Sequence, residues 1–431
     1  MRDKSRNPSS LKTRVNNLQQ SRQRSLRAVE WLNFFLADVQ TGLGPFLAAY
    51  LTAGGWNPAS VGYILTFGGL TTVAMQTPAG AAVDAVHRKR VLLAAALGVL
   101  VAGALLLLRP PSVASVYLSQ FLIGGAAPFL GPTVAAITLG IVGARAFDRQ
   151  FGKNQSFNSA GNVITALLIG WVSYRFGYRS IFVLAALMAI PALLSLFAID
   201  ANQIDYARAR GGMRDNDTSH PGFVALLHDR VLLCFLGAVF LFHLANAAML
   251  PQLGELLAQR NLKAAGPFMS ACIIVTQLVI AVSATWIGRI AHEKGRRPLL
   301  LLGFGVLPIR GVLYTLTHAA GLLIAIQLLD GVANCVFVVV SVLVIADRTR
   351  GTGHFNLAAG ALATTVGIGA ALSNAIGGTV AQHYGFAASF LFLAAIALLA
   401  FAVMWFAVPE TRREGGAADD SEQPVLPKRA T

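Results

Sequence analysis

Two stretches of this chain match each other at a constant offset of 208 residues, and each one closes an apolar run. The first is Gly80-Ala-Ala-Val-Asp84-Ala-Val-His87-Arg88-Lys89-Arg90, and the second is Gly288-Arg-Ile-Ala-His292-Glu-Lys-Gly295-Arg296-Arg297. The same offset pairs Phe34 with Phe242, Gly161 with Gly369, Gly170 with Gly378, Gly177 with Gly385 and Phe182 with Phe390. In a chain of 431 residues, a repeat of that length leaves room for two copies of one structural unit and little else.

Composition says what the unit is. The chain is 55% hydrophobic and 12% charged, with a mean hydropathy of +0.62. A water-soluble domain carries about 25% charged residues, so most of this surface cannot face water. Twelve apolar stretches approach the roughly 20 residues that a membrane-crossing helix needs. They fall at 29–53, 58–83, 91–108, 114–142, 156–175, 180–199, 229–253, 265–287, 298–317, 320–346, 357–381 and 386–408. Barrel strands would instead alternate over short segments. The expectation is therefore an all-α membrane protein of twelve transmembrane helices in two six-helix halves. The 42 glycines fit close helix approach in lipid rather than loops. This reading divides the chain into a basic arm (1–28), a first bundle (29–199), a polar linker, a second bundle (229–408) and a polar tail (409–431) expected to be disordered. The linker spans 200–228 and contains Arg214, Asp215, Asn216 and Asp217.

The net charge of +15 invites a nucleic-acid reading, which its placement rejects. Of 34 Lys and Arg, only Arg109, Arg175, Arg179, Arg260, Lys263 and Arg310 lie outside the arm, the loops on one face, the linker and the tail. Such asymmetry is the positive-inside pattern, with both termini cytoplasmic and the basic surface facing lipid headgroups. No cleavable leader is expected at the start. Cys234, Cys272 and Cys335 lie inside spans without metal spacing and read as small apolar thiols.

The paired helix-end motif, the twelve spans and the central linker resemble the major facilitator superfamily. Its signature, Gly-x-x-x-Asp followed by a basic cluster containing a Gly, is carried here by Gly80, Asp84, Arg88, Lys89 and Arg90, with His87 in place of the second Gly. In the second copy Gly288, Gly295, Arg296 and Arg297 match, while His292 replaces the acid. The resemblance implies a transporter with its substrate between the halves. Asp84 ends a helix where the macrodipole disfavours a carboxylate, so it calls for a cation. Arg88, one turn on, is the expected cation, and the resemblance implies that a helix of the other half supplies its dipole, making a latch between the halves.

Polar residues inside spans carry the functional argument. Asp38, in Asn33-Phe-Phe-Leu-Ala-Asp38-Val-Gln40, sits near the midplane, where an ionised acid costs about 3 kcal/mol. It must face a cavity, a partner or a proton, and it is the first candidate for a coupling acid. Its repeat mate is the neutral Asn246. If the first and seventh spans flank a cavity, Asn33, Asp38, Gln40, His243 and Asn246 converge there. Asp38 with His243 is also a weak candidate pair for a divalent metal. Gln120 stands where drug–proton exchangers of the family carry an Arg in the fourth span. Gln327, Asp330 and Asn334 share one helix face in the tenth, with Arg310 a candidate counter-ion for Asp330. Asn158 and Asn162, one turn apart in the fifth, could bond substrate or glue helices. Pro45, Pro128, Pro132 and Pro251 mark expected bends in the first, fourth and seventh spans.

These residues read as a secondary active transporter of a small solute, alternating in access, coupled to protons and leaning to export, in the plasma (inner) membrane as a monomer. A divalent metal or metalloid exporter is the nearest alternative, and a non-transporting scaffold or receptor the alternative of another class. Neither P-loop nor nucleophile elbow is present, so neither enzyme activity nor a cofactor is expected.

Overall fold

A bilayer offers no water to unpaired backbone groups, so a chain this apolar must satisfy its amides along its own helices. The computed structural model describes residues 8–41, 43–206, 228–350 and 354–412, without the side chains at 8–18, 38–41, 43, 144, 148, 262 and 356. All regular structure among those residues is helical. The first half contains α1 (Pro8–Thr41), α2 (Leu43–Ala53), α3 (Pro58–Ala85), α4 (Lys89–Leu106), α5 (Val113–Val142), α6 (Ala144–Phe176) and α7 (Arg179–Ala198). The second contains α8 (Arg230–Asn246), α9 (Met249–Arg260), α10 (Leu262–Lys294), α11 (Arg297–Leu316), α12 (Ala320–Thr349) and α13 (Phe355–Ala407).

Every one of the twelve apolar runs is helical, although only nine helical segments among the described residues are long and apolar enough to cross a membrane. One of the nine, α13, holds two runs, broken at Gly385. At 11 residues α2 is too short to count, and amides and charges keep α1 and α6 out. The arm expected at 1–28 continues into the first span as one helix from Pro8. Most of the linker (207–227) and most of the tail (413–431) lie outside the described residues.

The repeat survives at the level of backbone angles. Gly177 ends α6 with φ 82° and ψ 169°, and Gly385 breaks α13 with φ 84° and ψ 164°. A side chain would be strained at both positions. It also survives in packing. A Cβ on Gly161 would run into the Phe34 carbonyl of α1, and one on Gly369 would lie 2.7 Å from the Phe240 carbonyl of α8. Outward-facing side chains such as Leu194, Val282 and Phe406 remain exposed, as a lipid-facing surface requires.

The two halves meet along α3 with α13 and α6 with α10. Gly378 abuts the Pro58 carbonyl, and its repeat mate Gly170 abuts Ser270, the mate of Gly62. Thr66 Oγ1 donates to the Ala371 carbonyl at 2.6 Å and accepts from Ala375 N–H at 2.9 Å. Glycine contacts continue to Gly367 against Val73 and stop there; Gly80, beyond, has open space around it. The molecule is closed at the end opposite the two loop motifs and unbridged, among the described residues, at the motif end.

At the motif end one expectation fails. Asp84 and Arg88 are both exposed, and no bond joins them. The reason is local: α3 ends at Ala85, Val86 is extended, and Arg88 becomes the N-cap of α4, so it is not one helical turn beyond Asp84. Lys89 folds back instead, fully buried, and its Nζ donates to the carbonyls of Val83 and Val86. A cation thus meets the negative end of α3. The second half solves the same problem with Arg296, whose Nη1 donates to the Ala291 carbonyl at 2.6 Å, the repeat mate of Val83 O. Arg296 also pairs with Asp347 at 3.0 Å. Beyond α13, in the stretch assigned from sequence to the disordered tail, Glu410 accepts from the backbone N–H groups of Arg296 and Arg297 at 2.9 and 3.0 Å, capping α11. Burial opposes its charge, yet the N–H groups of Arg296, Arg412, Arg297 and Thr411 outweigh it and hold the carboxyl below its usual range.

Two outcomes follow. Gly378→Val should cost about 1–3 kcal/mol of stability through overpacking against the Pro58 carbonyl, read as a lower melting temperature in detergent. Glu410→Gln should melt lower than wild type at neutral pH. Because the folded-state pKa is depressed, the cap contributes above the ordinary carboxylate range and is lost as pH falls through the depressed value, so the difference should close in acid.

Candidate functional site

The seventh span is interrupted: α8 stops at Asn246 before α9 begins at Met249. In the first half α1 ends at Thr41 and α2 begins at Leu43, and the residue between them lies outside the described residues. In the second half the Ala248 N–H donates to Ser373 Oγ of α13 at 2.9 Å, so the break leaves that amide satisfied. The bend expected in the fourth span does not interrupt α5, which runs through Pro128 and Pro132 as one helix. Broken helices flanking the centre of a bundle expose polar backbone to a cavity, the arrangement that binding sites in membranes favour.

A cavity of about 400 Å³ lies between this break and α2. Its first-half wall is Gly44, Pro45, Gly68, Gly69, Thr72, Gln120 and Gly124; its second-half wall is Asn246, Leu250, Pro251, Arg310, Asp330 and Asn374. Glycines let the Gln120 amide lie against α3: a Cβ on Gly68 would sit 2.5 Å from Gln120 Oε1. Across the cavity Arg310, 1% exposed, pairs with Asp330. Its Nη1 also donates to Asn246 Oδ1 at 2.8 Å, and Thr276 Oγ1 donates to Asp330 Oδ2 at 3.1 Å. The guanidinium lies 5.5 Å from the centre of the Tyr314 ring, and Tyr314 accepts from Gln327 Nε2 at 2.6 Å. Arg310 Nε has no partner, which leaves a donor inside the cavity wall. Charges this buried persist only when paired and hydrogen-bonded.

The sequence-derived candidates therefore separate. Gln120, Asn246 and Asp330 line the central cavity, and Gln327 supports it from behind. Asn334 donates back to the Asp330 carbonyl at 3.0 Å within α12. Asn33 and Asn158 line a different, smaller cavity of about 210 Å³ walled only by the first half. There Asn158 Nδ2 reaches the Asn33 carbonyl at 3.4 Å, tying α6 to α1, and Asn162 donates to Asn158 at 3.2 Å. The convergence expected for His243 does not occur: it is buried between Phe242 and Phe337, with ring centroids at 5.2 and 4.6 Å, and does not line the central cavity. The side chains of Asp38 and Gln40 lie outside the described residues, although both positions fall near the end of α1. No cluster of three metal-ligating side chains exists among the described residues.

Sequence reasoning missed Glu255. Drawing the seventh span to residue 253 placed this acid in a loop, whereas α9 carries it on to Arg260. It is 2% exposed, makes no ion pair among the described residues, and accepts from Thr52 Oγ1 of α2 at 3.4 Å, across the halves. The signal was the one that singled out Asp38, an acid in an apolar run.

Breaking the central pair should be costly and replacing it should not. Arg310→Ala leaves Asp330 buried and uncompensated, and about 3–5 kcal/mol should be lost. The double variant Arg310→Met/Asp330→Leu should recover most of that stability in thermal unfolding.

Among known proteins, the chain matches the Major Facilitator Superfamily over residues 31–309 and 238–430. Uncharacterized MFS-type transporters from two strains of Mycobacterium tuberculosis are each 41% identical to it over 392 residues, 90% of this chain and 94% of theirs. A solved mutant of the nucleoside transporter NupG superposes with a TM-score of 0.76 at 14% identity, covering 88% of this chain and 99% of that one. A peptide transporter POT in complex with sulfate gives 0.69 at 14% identity, covering 89% and 94%. At such identity the solved structures speak to the fold.

Proposed function

This chain belongs to the Major Facilitator Superfamily, and from that premise we propose that it is a proton-coupled secondary transporter that carries a small organic solute through the central cavity by alternating access. The observation that carries this reading is the cavity itself: walled by both halves, flanked by the break between α8 and α9, and faced by a buried charge pair. One end is sealed by glycine contacts while the motif end is unbridged among the described residues, which fits one state of an alternating cycle. In the other state the exposed Asp84 and Arg88 are free to engage across the opening. The wall is mostly Gly, Pro and Leu with a few amides, which suits an amphiphilic solute.

Proton coupling is supported by acids set within membrane helices. Asp38 is the acid we assign to coupling, because it stands at the repeat position where the second half has a neutral Asn246 beside the cavity. Asp330 is already neutralised by Arg310 and serves to hold the wall. One chain supplies both walls, so the transporting unit is the monomer. The Lys and Arg asymmetry supports placement in the plasma (inner) membrane with both termini cytoplasmic.

The test is uptake into proteoliposomes under an imposed pH gradient, with nucleosides and dipeptides, the cargo classes named for the solved relatives, opening the solute panel. The gradient should drive accumulation in wild type, and Asp38→Asn should reduce it at least tenfold while solute exchange without a gradient persists. The sign of the gradient that drives accumulation gives the direction. Gradient-driven accumulation intact in Asp38→Asn would remove this residue from coupling.

A further inference from the structure

The six cations that break the charge asymmetry are not scattered. Three of them, Arg175, Arg179 and Lys263, line one cavity of about 470 Å³ at the closed end, together with Tyr50, Tyr174 and Tyr178. Among the described residues no carboxylate lines it. Arg179 and Lys263 stand in the first turns of α7 and α10, where the helix dipole is already positive and a cation is disfavoured. All three charged side chains are exposed, so the field they share points into open space.

A second, independent feature points the same way. Tyr178 is 7% exposed, lines this cavity, and its hydroxyl is buried without a hydrogen-bond partner. A native orphan of this kind requires an explanation, and an absent ligand is one. Burial pushes the phenol up, which keeps the hydroxyl protonated and a donor. Three cations around a cavity that no described carboxylate lines, with an unpartnered hydroxyl sealed in its wall beside Gly266, make a site for an oxyanion.

The cavity also straddles the seam. Lys263 belongs to the second half, the other charged residues to the first, and Gly266 abuts Ser173 beside it. Exposed Trp171 and Phe176 flank the site on α6, giving the apolar surface that an acyl chain would need.

We propose that this cavity binds a phosphate group, carried by an anionic lipid headgroup or free in solution, which ties the two halves together at the closed end. The assignment does not depend on what the central cavity transports.

Thermal unfolding of the purified full chain in detergent tests it, titrating short-chain phosphatidylglycerol, short-chain phosphatidylcholine and inorganic phosphate against sodium chloride of equal ionic strength. Wild type should show saturable stabilisation by phosphatidylglycerol beyond that by phosphatidylcholine. Arg179→Gln and Lys263→Gln should each weaken the apparent affinity at least tenfold. Tyr178→Phe, which keeps the ring and its packing, should weaken it several-fold. Stabilisation by inorganic phosphate with the same dependence on these residues would support the site and make the free anion its source. Absence of saturable stabilisation by either phosphate source, or equal stabilisation in all variants, would overturn the proposal.

Discussion

The close approach of helix backbones at paired glycines is the constraint on which the rest of this molecule depends. In lipid, helices gain nothing from hiding apolar surface from one another, so packing quality and short polar contacts decide association. Gly161 and Gly369 bring the fifth and eleventh spans against the first and seventh. Gly170 and Gly378 then bring those same spans against the opposite half. Each pair lies one repeat apart, so a single packing solution, used twice, builds both halves and the seam between them. The central cavity is what remains where the seam stops and the break between α8 and α9 leaves space.

On this symmetric scaffold the chemistry is asymmetric. The second half carries the buried Arg310–Asp330 pair with Asn246, Thr276, Tyr314 and Gln327 arranged around it. The first half answers with glycines and the Gln120 amide. The motif end shows a similar economy. Lys89 and Arg296 differ in position by one residue within the repeat, yet they hold equivalent carbonyls, Val83 O and Ala291 O. The need to neutralise a helix C-terminus is met by whichever long cation can reach it.

Hydrophobic length and the 208-residue offset made twelve helices and two halves legible from the sequence, because spanning a bilayer is a local demand that each segment meets alone. The pairing of Arg310 with Asp330 was legible for the same reason: a charge in a span must find a partner nearby. His243 and Glu255 were not. Both are single polar residues on the seventh span and its extension, and nothing in their spacing tells that one is wedged between Phe242 and Phe337 while the other reaches Thr52 of the opposite half. Nor could spacing show that α3 stops short of Arg88, since one turn of helix and one turn of coil look alike in letters. What the sequence alone determined is what lives within one segment: helical state, span length, the duplicated plan and the side that carries positive charge. The tertiary structure alone decided which polar groups face the cavity, which lock helices together, and that three stray cations share one pocket with an orphan hydroxyl. Those outcomes depend on rotation and contact between segments hundreds of residues apart, which a periodic apolar pattern leaves free.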